Sequence, residues 1–112
     1  MPFRDPFVYN DGAMAARPVD RYLVTLRQLL PELAENYHVR SLEVFGSYVR
    51  GEQNAESDLD LLVTFDKAPG LFQFIEMENR LSEVLGVKVD LVMKSALKPR
   101  IGQNILREAV PV

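Results

Sequence analysis

The run from Ser57 through Asp58, Leu59, Asp60, Leu61, Leu62, Val63 and Thr64 to Phe65 constrains this chain more than any other segment. It is the clearest strand in the sequence, and side chains on a strand alternate between its two faces. Leu59, Leu61, Val63 and Phe65 therefore share one face, and Asp58, Asp60, Leu62 and Thr64 share the other. One face has to be buried, while the other brings two carboxylates to the same side. Two carboxylates held together repel each other unless a cation or a proton lies between them.

The neighbouring segments supply what such a strand packs against. Asp20 is placed to cap a helix carrying the stripe Tyr22, Leu23, Leu26, Leu29, Leu30, Leu33 and Tyr37. Pro31 removes a backbone donor and crowds the preceding turn, so a kink or restart is expected there. Ser41 to Phe45 reads as a short buried strand, and the glycine-flanked segment 46–51 as a turn. After Pro69 and Gly70, the residues Leu71, Phe74, Ile75, Leu81, Val84 and Leu85 mark a second helix, ended by Gly86. Phe72 and Phe74, at its start, are expected in the core. Val87 to Met93 is a third strand, with Asp90 on the opposite face from Val89 and Leu91. A last helix starts near Pro99 and carries Ile101, Ile105 and Leu106. Strands alternating with helices describe an α/β or α+β fold, a sheet with helices packed on it. Residues 1–19, with Pro2, Pro6, Gly12 and Pro18 and no period, read as an irregular leader, and 20–112 as one domain.

Composition excludes several functions. With no Cys and a single His (His38), the chain has neither thiol chemistry nor the ligands for a zinc site, and it fits a cytoplasmic setting. His38 itself reads as a surface or cap residue at the end of the first helix. A net charge of −3 disfavours a nucleic-acid acceptor, because phosphate neutralisation supplies most of that affinity. No apolar run approaches the ~20 residues needed to cross a bilayer. Any metal would be held by oxygen, which points to magnesium or manganese.

The chemistry lies in a constellation of small pieces. Gly46 allows close backbone approach to a phosphate, and Ser47 offers a hydroxyl and an amide. Arg50 can reach a phosphate oxygen or fix the loop by pairing with a carboxylate. Ten residues separate Ser47 from Asp58, and Asp60 follows two further on. Asp90 stands among Val89, Leu91 and Val92, where an uncompensated carboxylate costs several kcal/mol. An edge position, or pairing with Lys88 or Arg80, would compensate it. If its strand lies beside that of Asp60, three carboxylates converge and can hold the divalent cations of an in-line displacement at phosphorus. Singly, each piece has an ordinary reading: a solvated strand start, a tight turn, a surface arginine. Their order and spacing together are much rarer. Lys88, Lys94, Lys98, Arg100 and Arg107 gather late in the chain, and a solvated face accounts for them more simply than a phosphate contact does.

Gly46-Ser47, Asp58-x-Asp60 and a separate Asp90 resemble the signature of the DNA polymerase β-type nucleotidyltransferase superfamily. The phrase from Phe45 to Gly51 and the ending from Ile105 to Val110 are similar to its minimal nucleotidyltransferase (MNT) branch. The resemblance covers roughly residues 20–110. It implies a short mixed sheet flanked by helices and a metal-dependent transfer of AMP from ATP to a hydroxyl. In that scheme Asp58, Asp60 and Asp90 are the catalytic and metal-binding residues, for Mg2+ or Mn2+, and Gly46, Ser47 and Arg50 contact the nucleotide. It further implies a type VII-like antitoxin that adenylylates a tyrosine of a HEPN-fold toxin, its hetero-oligomeric partner. Two competing readings are an antitoxin that acts by contact alone over a vestigial site, and a small-molecule nucleotidyltransferase. Intact carboxylates weigh against the first, and the lack of room for an acceptor domain against the second.

Overall fold

The computed structural model describes residues 17–112, and the leader is outside it apart from its last three residues. Helix α1 spans Pro18–Tyr37, with Arg17 as its cap, three residues earlier than expected. Asp20 does not precede the helix. It sits in the first turn and reaches back, its carboxylate accepting the Arg17 backbone N–H at 2.9 Å. Pro18 takes the first helical position, where the missing N–H is no loss. Nor does the chain restart at Pro31: α1 continues through it as a single helix. Pro31 faces solvent, as does Arg27 one turn back, whose carbonyl loses its helical donor. Water can serve that carbonyl, while Leu26 and Leu33 on the opposite side are fully buried and hold both halves in line. His38 ends the helix at φ 60°, a left-handed cap whose N–H bonds the Ala34 carbonyl.

Strands β1 (Val39–Phe45), β2 (Leu59–Phe65), β3 (Val89–Met93) and β4 (Val110–Pro111) form one mixed sheet in the order β3-β2-β1-β4. β1 runs antiparallel to both β2 and β4, and β2 runs parallel to β3 across helix α3 (Leu71–Leu85). The fourth strand has no counterpart in the sequence reading. Two residues carry no period, and Pro111 is tolerated because β4 lies at an edge. β3 is also two residues shorter than expected at its start.

Helices α1 and α3 cover one face of the sheet. The core there joins Val19, Leu23, Leu26 and Leu33 of α1 to Met77 and Leu81 of α3, over Val44, Leu59, Leu61 and Val63. Fully burying a leucine of this kind stabilises the fold by roughly 1.5–3 kcal/mol. Only one side of α3 takes part, which corrects two expectations. Phe72 is 86% exposed rather than in the core, and Leu71 and Ile75 are exposed on the same flank. Helix α4 (Pro99–Glu108) likewise leaves Ile101 and Leu106 exposed.

The outer edge of β3 is closed by side chains of α3. The Val89 N–H donates to Ser82 Oγ at 3.0 Å and the Leu91 N–H to Glu78 Oε2 at 2.9 Å. Donors that would otherwise invite pairing with another strand are thereby satisfied.

Candidate active site

The sheet face away from α1 and α3 carries the acids. Leu59 and Leu61 point into the core, so Asp60 between them must point out the other side. In the parallel pairing of β2 with β3, Asp60 and Asp90 are register partners. They are thus neighbours on one face, on strands ~4.8 Å apart. The strand starts at Leu59, so Asp58 stands just before it rather than within it, close enough for its charge to act on Asp60. Asp90 is exposed, not buried among the valines and leucines that flank it in sequence. β3 is an edge strand, and this position relieves the expected desolvation cost with no cationic partner among the described residues. Arg80 pairs instead with Glu32 at 3.1 Å, and Lys88 lies 3.9 Å from Asp58, a surface contact worth little.

Across the antiparallel pairing, Asp60 faces Phe45, so Gly46 leaves β1 beside the acids. Gly46 adopts φ 84° and ψ −156°, a region almost confined to glycine. A Cβ at this position would lie 2.1 Å from Asp60 Oδ2. The glycine is therefore required twice, by its own backbone and by the carboxylate pressed against it. Ser47 follows directly and opens the single-turn helix α2 (Ser47–Arg50), which Gly51 ends at φ 72°. Tyr48 of this turn packs edge-on against Tyr22 of α1, with ring centroids 5.4 Å apart, and so anchors the turn to the body.

Arg50 takes the second of the two roles open to it. Its Nε bonds Glu52 at 2.7 Å, and its NH1 bonds both carboxylate oxygens of Glu108 at 2.9 and 3.0 Å. Glu108 also accepts the Gly46 N–H. Glu108 lies in the Ile105–Val110 ending that resembles the MNT branch, but sequence reasoning missed its role. It lies 62 positions from Gly46, and no spacing rule connects the two.

The electrostatics record the crowding of negative charge. The Asp60 carboxyl is pushed up to about 6, first by burial, then by the Asp90 and Asp58 carboxylates, with Arg50 partly offsetting them and Glu108 adding to them. Among the described residues no group of three or more His, Cys, Asp or Glu side chains is placed so as to hold a metal ion. The donor set nevertheless fits a hard divalent cation: three carboxylates at one end of the sheet, with mutual repulsion that such an ion would relieve. The open apolar hollow of about 490 Å3 lined by Pro69, Leu71, Phe74 and Leu91 contains none of these acids.

A mixed four-stranded sheet with this connectivity and a glycine-serine turn beside its acidic end defines the class as a nucleotidyltransferase. Residues 26–112 match the nucleotidyltransferase domain family, and the chain belongs to that family, in its minimal branch. Among curated relatives, a protein adenylyltransferase, MntA, of Thermococcus cleftensis is 54% identical over 81 residues, 72% of this chain and 82% of the relative. A solved structure described as a minimal nucleotidyltransferase superposes with a TM-score of 0.69 at 37% identity, covering 82% of this chain and 94% of the other. A complex of a tri-AMPylated Shewanella oneidensis HEPN toxin with its MNT antitoxin gives 0.61 at 18% identity, over 82% and 69% of the two chains, a likeness of fold. No helix among the described residues is long and apolar enough to cross a membrane.

Proposed function

We propose that this protein transfers AMP from ATP to a tyrosine hydroxyl of a HEPN-fold toxin and so serves as the antitoxin of the pair. The observation that carries the reading is the Asp60–Asp90 register beside Gly46, which gathers negative charge where a nucleotide and its cations would be held. The naming of the Thermococcus cleftensis relative supports AMP as the group moved and a protein as its acceptor. The Shewanella oneidensis complex supports the HEPN partner.

In this reading Asp58 and Asp60 hold magnesium or manganese, Asp90 completes the set, and Ser47 binds the triphosphate through its hydroxyl and amide. Gly46 admits the phosphates to the backbone, and Arg50, paired with Glu52 and Glu108, fixes the turn that presents them. The bound cation supplies charge neutralisation at phosphorus. Asp90, the most open of the three acids, takes the proton of the incoming hydroxyl. The tyrosine oxygen bonds the α-phosphorus, the bond from the α-phosphorus to the bridging oxygen breaks, and pyrophosphate departs.

Incubation with the HEPN-fold partner, Mg2+ and ATP labelled at the α-phosphorus is expected to label the partner, and ATP labelled at the γ-phosphorus is not. An unlabelled partner would overturn the reading. A partner still neutralised, without label, by the Asp60→Asn variant would favour inhibition by contact alone.

A further inference from the structure

The groups best suited to phosphate, the Gly46 amide and the Arg50 guanidinium, are both held by one carboxylate, that of Glu108. Its position follows from the sheet. β4 pairs antiparallel with β1 at Val110↔Val44 and Pro111↔Glu43, and continuing that register two residues brings Glu108 opposite Gly46. Glu108 is the last residue of α4, so the helix and the strand after it together fix where its side chain emerges. The Val112 N–H bonds the Leu42 carbonyl at 3.0 Å and prolongs the lock.

Three features show that this contact aligns the site rather than merely joining two surface elements. Gly46 has a backbone conformation with little intrinsic preference, so its amide direction has to be imposed from outside. The Glu108 side chain is 24% exposed, well short of a free surface pair, and it engages two partners at once. Finally, Gly46 is packed on the Asp60 carboxylate, so any swing of its backbone displaces an acid of the site.

We propose that Glu108 is a positioning residue of the transfer site, whose carboxylate holds the Gly46 amide and the Arg50 guanidinium so that the Gly46–Ser47 turn and Asp60 stay in one arrangement. The inference rests on the transfer reading above but concerns binding as well as transfer. It assigns to the last helix and strand a role in nucleotide handling. Glu108 does not touch the reacting atoms in this scheme, and its effect runs through Gly46 and Arg50.

The test compares the full-length protein with Glu108→Gln, which keeps size and one acceptor, and with Glu32→Gln, which loses an ion pair to Arg80 at the far side. Two readouts are taken: equilibrium binding of a non-hydrolysable ATP analogue with Mg2+, and AMP transfer across a Mg2+ titration. Hydrogen bonds to charged groups of this kind are worth about a tenfold change or more. Glu108→Gln is expected to weaken analogue binding by roughly that factor and to raise the Mg2+ concentration for half-maximal transfer. Glu32→Gln should move neither. Unchanged binding and Mg2+ requirement would overturn the proposal. So would a loss of activity that only tracks the loss of folded protein, which is the mark of a structural clamp. Tighter analogue binding would overturn it too, because Glu108 would then be blocking the seat. If the wild type binds the analogue but labels no partner, the transfer reading fails and the binding comparison still decides the role of Glu108.

Discussion

Asp60→Asn is expected to abolish AMP transfer while making the metal-free protein more stable. An amide cannot replace an ionised carboxylate as a ligand to a hard cation. The loss of about 4 kcal/mol of transition-state stabilisation corresponds to roughly a thousandfold in rate. The gain in stability has a different origin. Burial and the Asp90 and Asp58 carboxylates push the Asp60 carboxyl up to about 6, from an ordinary value of 3.8. The folded protein therefore binds a proton at higher pH than the unfolded chain does. From this group, stability is greatest below the unfolded value, falls as pH rises from about 4 to about 6, and is flat above. At pH 7 the penalty is on the order of 1 kcal/mol, once solvent screening of a partly exposed side chain is allowed for. Urea titrations at several pH values check this: the difference between wild type and variant should grow across that window and then level off. Mg2+ should stabilise the wild type and not the variant. A wild type that is the more stable of the two without metal would show that the three acids do not strain one another.

Gly46→Ala carries the second large effect, and it acts on fold and site together. The backbone of Gly46 lies in a region that costs other residues of order 1–3 kcal/mol. The added methyl would lie 2.1 Å from Asp60 Oδ2, so either the strand end or the carboxylate must move. A destabilisation of about 2–4 kcal/mol is expected, together with loss of transfer even in the fraction that remains folded. Gly51→Ala provides the comparison. Gly51 also has a positive φ, but its Cβ would meet nothing within 4 Å. That variant should lose only about 1 kcal/mol and keep its activity. The check is a urea midpoint and a transfer rate for each. Equal behaviour of the two variants would mean that the contact between Gly46 and Asp60 has no consequence.

The sequence was most legible where period and chemistry coincided. In β2, alternation alone placed Asp60 opposite the buried Leu59 and Leu61, and the helix ended by Gly86 has the expected bounds. Asp90 was placed on the correct face for an incomplete reason. Its apolar neighbours in sequence implied burial, yet an edge strand leaves alternate side chains open to water. Phe72 and Ile75 misled because hydrophobicity marks which residues can be buried, not which side of α3 meets the sheet. Pro31 misled because local strain on a solvent-facing turn was outweighed by packing at Leu26 and Leu33. The Ile105–Val110 ending marked the segment that holds Glu108, but its role was illegible because it depends on a two-residue strand, too short to leave a periodic pattern. Once β4 is seen to pair with β1, its meeting with Gly46 follows from register alone.

The most direct test is the position of a bound cation. In crystals grown with Mn2+ and a non-hydrolysable ATP analogue, anomalous scattering should place manganese about 2.2 Å from an Asp60 oxygen, with Asp58 and Asp90 also turned toward the cation site. The α-phosphate should lie between that ion and the Gly46–Ser47 turn. Manganese bound away from Asp60, or nucleotide bound away from the turn, would contradict a catalytic role for these three side chains.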